Sequence, residues 1–491
     1  MLKAANGGLG EVRFLTERDM ERIHAQSLDL LRHTGVLISH DRALKNLSDC
    51  GACVDFKNQR AFFSAELVER ALQTVPRRIL LAGRHRSRDV VLEPAGAMHT
   101  RNSGGMTQIV DLDSGAVRDA GLADTIDFTR LADALDHIDV AAPLYPSDVP
   151  LPILELKTLE AMFLHTDKHI SVRALNSGTL PFLVQMAGAV VGGTANLRRQ
   201  PVISILDSPI SPLTFPEVFV EALYLAGKFG IPVEACSTPN IGATGPITLA
   251  GSLLLANVEQ LAAVIISQLP YPGAPLIWAP RFPAMDMASG ITGMLTEGAM
   301  VSAAAAQMGV AYYDLVCDFH GPATNALTAG AESVFEECIA AFVTALAGRP
   351  AILCGAGALE LGMTASFEDL VIADELFGML NRIVKGIRID DDTLGVDAIQ
   401  AVGIGGHYRD HPHTPARLGD ERLESSLLKP RTREQWLEQG SPKIVQSAKD
   451  RARTILKEHL PRRLALEAGA ELREIIGLAR QDLGCNVGVD T

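Results

Sequence analysis

An alternation dominates this sequence. From Gly121 onward, short apolar runs of strand character alternate with longer helical stretches. The runs fall at Ile138–Ala142, His169–Arg173, Val202–Asp207, Val233–Cys236, Leu276–Ala279, Tyr312–Cys317, Ile352–Gly355 and Ile387–Asp390. Helix Leu122–His137 leads into the first, and helical patterns near 153–166, 180–191, 217–230, 249–269, 295–308, 333–347 and 367–384 follow in turn. Strand–helix alternation requires a parallel sheet with helices on its outside, and eight repeats predict a (β/α)8 barrel over residues 121–402. A doubly wound sheet is the competitor. It would ordinarily place a Gly-x-Gly-x-x-Gly phosphate loop in its first βα turn, and none is there.

The flanks read differently. Residues 1–12 form a leader without the apolar segment of a secretory signal. Thr16–Gly35 is a helix with a capping-box-like Thr16-x-x-Asp19 and a glycine stop. Asp41–Gly51 and Ser64–Val75 are further helices, Cys53–Phe63 is a hairpin, and Arg78–Asp119 is strand-rich. Residues 1–120 are therefore expected to be an α+β extension covering one end of the barrel. Residues 403–491 are expected to be a loop with helices near Lys443–His459 and Leu464–Leu483.

Composition narrows the function. A net charge of −14 leaves no basic stripe to neutralise nucleic-acid phosphates. It suits a cytoplasmic enzyme. Seven scattered cysteines fit a reducing compartment better than a disulfide framework, and Cys50-x-x-Cys53 has no second pair to make a metal site. The most apolar window, Leu249–Leu269, carries Asn257, Glu259, Gln260 and Gln268, so it reads as a buried helix rather than a membrane span.

Barrel chemistry sits on the loops that follow the strands. Ser237–Gly251 (STPNIGATGPITLAG) is such a loop: small residues connecting a buried strand to a long helix. Reading the other strand ends adds Tyr145, Arg173, Asp207, Trp278, Arg281, Phe282, Asp286, Asp318, Phe319, His320 and Glu360. Aromatic rings mixed with carboxylates suit a quaternary ammonium ligand, because ring faces attract a fixed cation. Trp278, Phe282 and Tyr145 are expected to form part of a cation box, with Phe319 and Glu360 also binding substrate. Asp286 or Asp318 would offset its charge. Arg173 or His320 would bind a substrate carboxylate. Asp286, Asp318 and His320 are the candidate catalytic groups. His411-x-His413 with Cys317 or His320 is a weak zinc pattern, and no bound metal is expected.

The order of motifs along the chain resembles the trimethylamine methyltransferase family of corrinoid-dependent methyltransferases, including members acting on glycine betaine. The residues that carry the resemblance are Gly242–Gly251, Asn257-Val-Glu-Gln-Leu-Ala262, Gln268–Pro275 (QLPYPGAP), Asp286–Gly290 (DMASG), Ala329-Gly-Ala-Glu332, Ser366–Glu375 (SFEDLVIADE), and His413-Thr414 before Trp436. The resemblance implies a (β/α)8 barrel that moves a methyl group from an amine to Co(I) cobalamin. That cofactor rides on a separate small corrinoid protein docked over the barrel mouth, with Asn240, Thr244 and Gly245 on the loop facing it. Members dedicated to trimethylamine carry pyrrolysine in the loop that aligns with Cys317–Asn325, which here holds ordinary residues. A quaternary amine leaves as a neutral tertiary amine and needs no protonation. A small quaternary amine, such as a betaine, is thus the favoured donor and a homo-oligomer the expected state. Two other readings stand beside this one. A lysine Schiff-base lyase is opposed by the lack of lysine at the strand ends. A barrel that binds a methylated amine without turnover is the other.

Overall fold

Eight short parallel strands close a barrel whose loops carry the site. The computed structural model describes residues 12–294 and 296–484. The expected leader, apart from Val12, lies outside these residues, as do Leu295 and Cys485. The strands are β1 (His99–Asn102), β2 (Val140–Ala141), β3 (His169–Arg173), β4 (Ile203–Asp207), β5 (Val233–Ala235), β6 (Leu276–Trp278), β7 (Asp318–His320) and β8 (Ile352–Ala356). Each pairs in parallel with its neighbour, and β8 pairs with β1. A parallel bridge between Trp278 and Cys317 joins β6 to β7 and completes the ring. Helices α1 (Leu122–Ala134), α2 (Leu154–His165), α3 (Leu180–Val191), α4 (Glu217–Phe229), α5 (Leu249–Gln268), α6 (Thr296–Gln307), α7 (Ala331–Gly348) and α8 (Phe367–Val384) follow the strands in order.

Two strand assignments from the sequence change. Ile387–Asp390 holds no strand, and its isoleucines Ile387 and Ile389 are about three-quarters exposed. The barrel instead takes its first strand from His99–Asn102, inside the stretch read as the N-terminal extension. Arg101 and Asn102 hide that strand, because a buried parallel strand is expected to read as an apolar run. Tyr312–Cys317 is also displaced. Met308–Tyr312 is a single π-helical turn and the strand begins at Asp318. Gly309 sits so tightly against Cys317 and Trp278 that a Cβ there would collide with the Cys317 sulfur.

The end of the barrel opposite the mouth is closed by a hairpin, Ile79–Leu81 with Val90–Leu92. Leu81 and Leu92 cluster with the inward-facing Val140, Ile277, Val316 and Ile352. In the N-terminal region, Thr16 caps helix Glu17–His33 in a capping box with Asp19. Strands Val36–Ile38, Cys53–Asp55 and Arg60–Phe62 form a small sheet with Thr214–Phe215 from the loop after β4. The C-terminal helices are Ile444–Glu458 and Leu466–Asp482. Among the described residues, α5 is the one helix long and apolar enough to cross a membrane. It belongs to the outer layer of the barrel, with 72% of its most apolar window buried.

The polar groups of α5 have a structural purpose. Glu259 accepts hydrogen bonds from Ser237 Oγ, from Ser211 Oγ at 2.8 Å and from the Leu213 N–H at 2.9 Å, while Gln260 donates to the Ala235 carbonyl at 2.6 Å. The helix thereby fixes the loops after β4 and β5. Buried polar groups must find partners, and here the partners are the backbone and hydroxyls of loops at the mouth.

Candidate active site

The strand alternation decides which side chains meet inside the barrel. From β3, β4 and β5, Ser171, Ser204 and Glu234 point inward: both hydroxyls donate to Glu234 Oε1, at 2.8 and 2.7 Å. Arg101 on β1 reaches across, with Nη2 2.7 Å from Asp318 and 3.1 Å from Glu234. Arg281, just after β6, meets the other oxygen of Asp318 at 2.8 Å and the Asp318 carbonyl at 2.6 Å. All four charged side chains are at most 4% exposed. Burial opposes ionisation of Asp318, but Arg281 and Arg101 hold its carboxyl down at about 2. Burial pushes Glu234 the other way, above the usual carboxylate range, against the pull of Arg101. Burial likewise works against Arg101, and Glu234 and Asp318 more than offset it.

Above this layer, at the C-terminal ends of the strands, lies a cavity of about 440 Å3. Arg101 and Arg281 form part of its lining, with Arg173, Cys236, His320 and Cys354 around them. Burial and then Arg281 press His320 down to about 3, so it is a neutral imidazole, and its Nδ1 is buried without a hydrogen-bond partner. Burial lifts the Cys354 thiol to about 12, and its sulfur lies 3.2 Å from Arg281 Nη2. Arg173 differs from the other two arginines. Its side chain makes no ion pair or hydrogen bond among the described residues, and it packs over Gly105 (φ +96°), where a Cβ would come within 3.3 Å of its Nη1. Gly355, at φ +127°, brings β8 so close to the Pro322 carbonyl that a Cβ would overlap it. Only glycine lets these two loops meet at the cavity wall.

The sequence-derived candidates divide sharply. Arg173 and His320 line the cavity, and Asp318 lies beneath it, held between the two arginines. Trp278 does not line it. It packs in the layer between sheet and helix, 5.1 Å from the Tyr313 ring. Phe282 and Phe319 are fully buried in the same outer core, because Phe319 alternates with the inward Asp318 and His320. Tyr145 is buried behind Arg173 and Glu155, and burial followed by Glu155 raises its phenol. Glu360 accepts a hydrogen bond from Thr364 within the loop after β8. Asp286 is exposed on a hairpin turn, accepting from Ser289 Oγ at 2.6 Å and the Ala288 N–H at 3.0 Å. The aromatic box is therefore not assembled, and Asp286 stands apart from the cavity. In the loop after β5, Asn240 donates to Thr292 Oγ1 at 2.7 Å and to Thr244 Oγ1 at 3.0 Å, and Gly245 is packed under Ser252. Arg101 and Glu234 went unnoticed from sequence. For Glu234 a signal was present, a charged residue inside the run Val233–Cys236 that otherwise reads as buried strand, whereas the polar run His99–Asn102 gave none for Arg101.

Among the described residues no three His, Cys, Asp or Glu groups gather to hold a metal ion. The histidines of 407–413 lie on a separate segment after α8.

A closed parallel barrel with a polar cavity at the C-terminal mouth defines a TIM-barrel enzyme. The family described as Trimethylamine methyltransferase (MTTB) matches residues 2–484, and this chain belongs to it. It is 33% identical over 481 residues to Trimethylamine methyltransferase MttB of Desulfitobacterium hafniense (strain DSM 10664 / DCB-2), covering 97% of this chain and 96% of that one. It is 28% identical over 479 residues to Glycine betaine methyltransferase of Desulfitobacterium hafniense (strain Y51), covering 97% and 99%. Among solved structures, Methanosarcina barkeri Monomethylamine Methyltransferase (MtmB) aligns over 92% of this chain and 96% of its own, with 12% identity and a TM-score of 0.49.

Proposed function

We propose that this methyltransferase demethylates a small quaternary amine bearing a carboxylate, a betaine, and passes the methyl group to a corrinoid held by a partner protein. The observation that carries the reading is the charge of the cavity. Three arginines line it, two carboxylates lie beneath it, and Arg173 is unpaired. A simple cation would be repelled there. A zwitterion brings its own anion for Arg173, and its carboxylate then offsets the charge of its own nitrogen.

The proton chemistry points the same way. His320 is neutral near pH 7, and Asp318 is ionised and doubly paired, so neither donates a proton to a leaving amine. A quaternary nitrogen needs none, since it departs as a neutral tertiary amine. The chain's own contribution is to strip water from the donor, anchor its carboxylate and hold one N-methyl toward the mouth. When present, the corrinoid supplies the methyl acceptor.

The rim of the mouth fits a docked protein. Seven consecutive βα loops each carry a large exposed apolar side chain: Leu151, Leu175, Ile210, Ile247, Met287 with Ile291, Leu327 and Met363. Exposed apolar side chains on the loops around a cavity suit an interaction surface.

The test is loss of the Co(I) absorption band of free cobalamin, with enzyme and a panel of glycine betaine, proline betaine, carnitine, choline and trimethylamine. Decay with a carboxylate-bearing member and not with choline or trimethylamine supports the reading. Decay with choline or trimethylamine alone refutes the carboxylate requirement. Tight binding of a betaine without methyl loss, even with a cognate corrinoid protein, would make this a binding barrel.

A further inference from the structure

The end of the barrel away from the mouth concentrates positive charge in an acidic chain. Residues 83–89, 197–200 and 457–467 hold eight basic and three acidic side chains, while the whole chain has a net charge of −14. Seven of the eight basic residues are arginines. The three segments are distant in sequence and meet in space. Residues 83–89 form the turn of the hairpin that closes the barrel. Arg84 Nη2 donates to the Arg462 carbonyl at 2.6 Å, and Gln200 Nε2 donates to the Gly83 carbonyl at 3.3 Å. Arg88 and Arg462 share one carboxylate, Asp167, at 3.3 and 3.7 Å. Arg86, Arg199 and Arg463, one on each segment, are exposed, and their side chains make no ion pair or hydrogen bond among the described residues. Like charges gathered this way repel one another, so an external anion stabilises the patch. Two leucines stand in it. Leu460 is 82% exposed and Leu466 85%, flanking Arg462 and Arg463 where helix Ile444–Glu458 gives way to helix Leu466–Asp482. Exposed leucines alone carry no message. Beside a cluster of arginines they give the composition of a segment that lies in a membrane interface.

We propose that this end of the barrel is a membrane-binding face, seated on an anionic phospholipid surface with its arginines on the lipid phosphates and Leu460 and Leu466 among the acyl chains beneath. Three observations select a bilayer. The unpaired arginines are spread over three segments, which suits an extended sheet of charge, whereas a single small anion would need them around one point. The cations are almost all arginine, whose planar fork takes a phosphate through two hydrogen bonds at once. The two leucines add an apolar anchor, which a purely acidic polymer would leave in water. The geometry also suits the reaction. The face lies opposite the mouth, so a barrel seated on it keeps its cavity open to substrate and to a docked protein. The chain's overall negative charge does not prevent this. At physiological salt the Debye length is about 8 Å, so the patch feels the surface while the acidic remainder of the barrel is screened from it. The inference holds whichever amine the cavity takes.

The experiment is co-sedimentation of the full chain with vesicles of phosphatidylcholine alone and of phosphatidylcholine mixed with phosphatidylglycerol, at low and at high salt. Binding is expected to the anionic vesicles only, and to weaken as salt rises. Arg86→Gln with Arg463→Gln should weaken it about thirtyfold, about fivefold for each basic group near an anionic surface. Neither side chain has a partner within the fold, so the melting temperature of that variant should match the wild type. A second measurement reads insertion directly. The fluorescence of Leu466→Trp should shift to the blue on anionic vesicles, as an indole leaving water does. No binding to anionic vesicles overturns the proposal, and so does equal binding to both vesicle types or an unaffected arginine variant. Binding without a blue shift reduces the patch to charge attraction and overturns the seated geometry. Binding of polyglutamate or RNA in place of vesicles would assign the patch to another class of partner and overturn it as well.

Discussion

Replacing Arg173 by Gln separates the unpaired arginine of the cavity, the proposed carboxylate anchor, from the two that hold the barrel together. Arg173 has no side-chain partner among the described residues, so the substitution breaks no bond within the fold and the melting temperature should stay put. Its effect should appear in binding, and with opposite signs for two ligands. A carboxylate paired with a guanidinium gains hydrogen bonds to a charged group, about 1.5–3 kcal/mol each. Taking about 3 kcal/mol for the pair and 1.4 kcal/mol per tenfold, glycine betaine should bind roughly 150-fold more weakly. Choline has no carboxylate and meets Arg173 only as a like charge. At about 6 Å and an effective dielectric of about 20, that repulsion is about 3 kcal/mol. Choline binding should therefore strengthen when the charge is removed. Titration calorimetry on both ligands, with wild type and variant, makes the comparison. Equal losses for both would mean Arg173 acts only through cavity shape. Unchanged betaine affinity would refute its role as the anion site.

Other predictions follow from the surrounding structure. Asp318→Asn leaves Arg101 and Arg281 buried without their shared carboxylate, so unfolding by urea should show a loss of about 3–5 kcal/mol. Asp207, at the end of β4, has one oxygen buried without a partner, and burial raises its carboxyl from 3.8 to about 7. The folded protein thus keeps a proton that the unfolded chain releases, and stability falls as pH rises from about 4 to 7. Asp207→Asn should abolish that fall, stabilising the protein at pH 8 by at most about 4 kcal/mol and hardly at pH 4, as read by thermal unfolding across pH. Trp278→Leu should lower stability by about 3 kcal/mol and leave betaine affinity unchanged, because the ring fills the sheet–helix layer against Tyr313. A raised dissociation constant with normal stability would put Trp278 back in the site.

Much of the barrel was legible because parallel strands buried on both sides have an unmistakable texture. Runs such as His169–Arg173, Val202–Asp207 and Ile352–Gly355 are short, apolar and followed at helical distance by long amphipathic or apolar stretches. The family was legible too, since its motifs keep their order over nearly the whole length. Both properties are local or serial, and neither requires knowing what lies across the barrel.

The site needed tertiary structure, for reasons visible in single residues. Whether a strand residue faces the cavity depends on register, and a shift of one position turns it to the other side. Phe319 and Trp278 were plausible ligand groups from sequence, yet each points outward, while their neighbours Ile277, Asp318 and His320 point in. The eighth strand could not be chosen by composition, because Ile387–Asp390 looks more like a strand than His99–Asn102 does. Only ring closure through Arg101↔Val140 and β8 selects the latter. The charge balance of the cavity is likewise a three-dimensional quantity. Arg101, Glu234, Arg281 and Asp318 span more than two hundred residues of chain and neutralise one another only after the barrel closes. Sequence alone determined that this chain must cover a parallel sheet with helices, because its apolar strands have to be buried on both faces. Tertiary structure decided which charges are spent on holding the barrel together and which one, Arg173, lines the cavity without a side-chain partner.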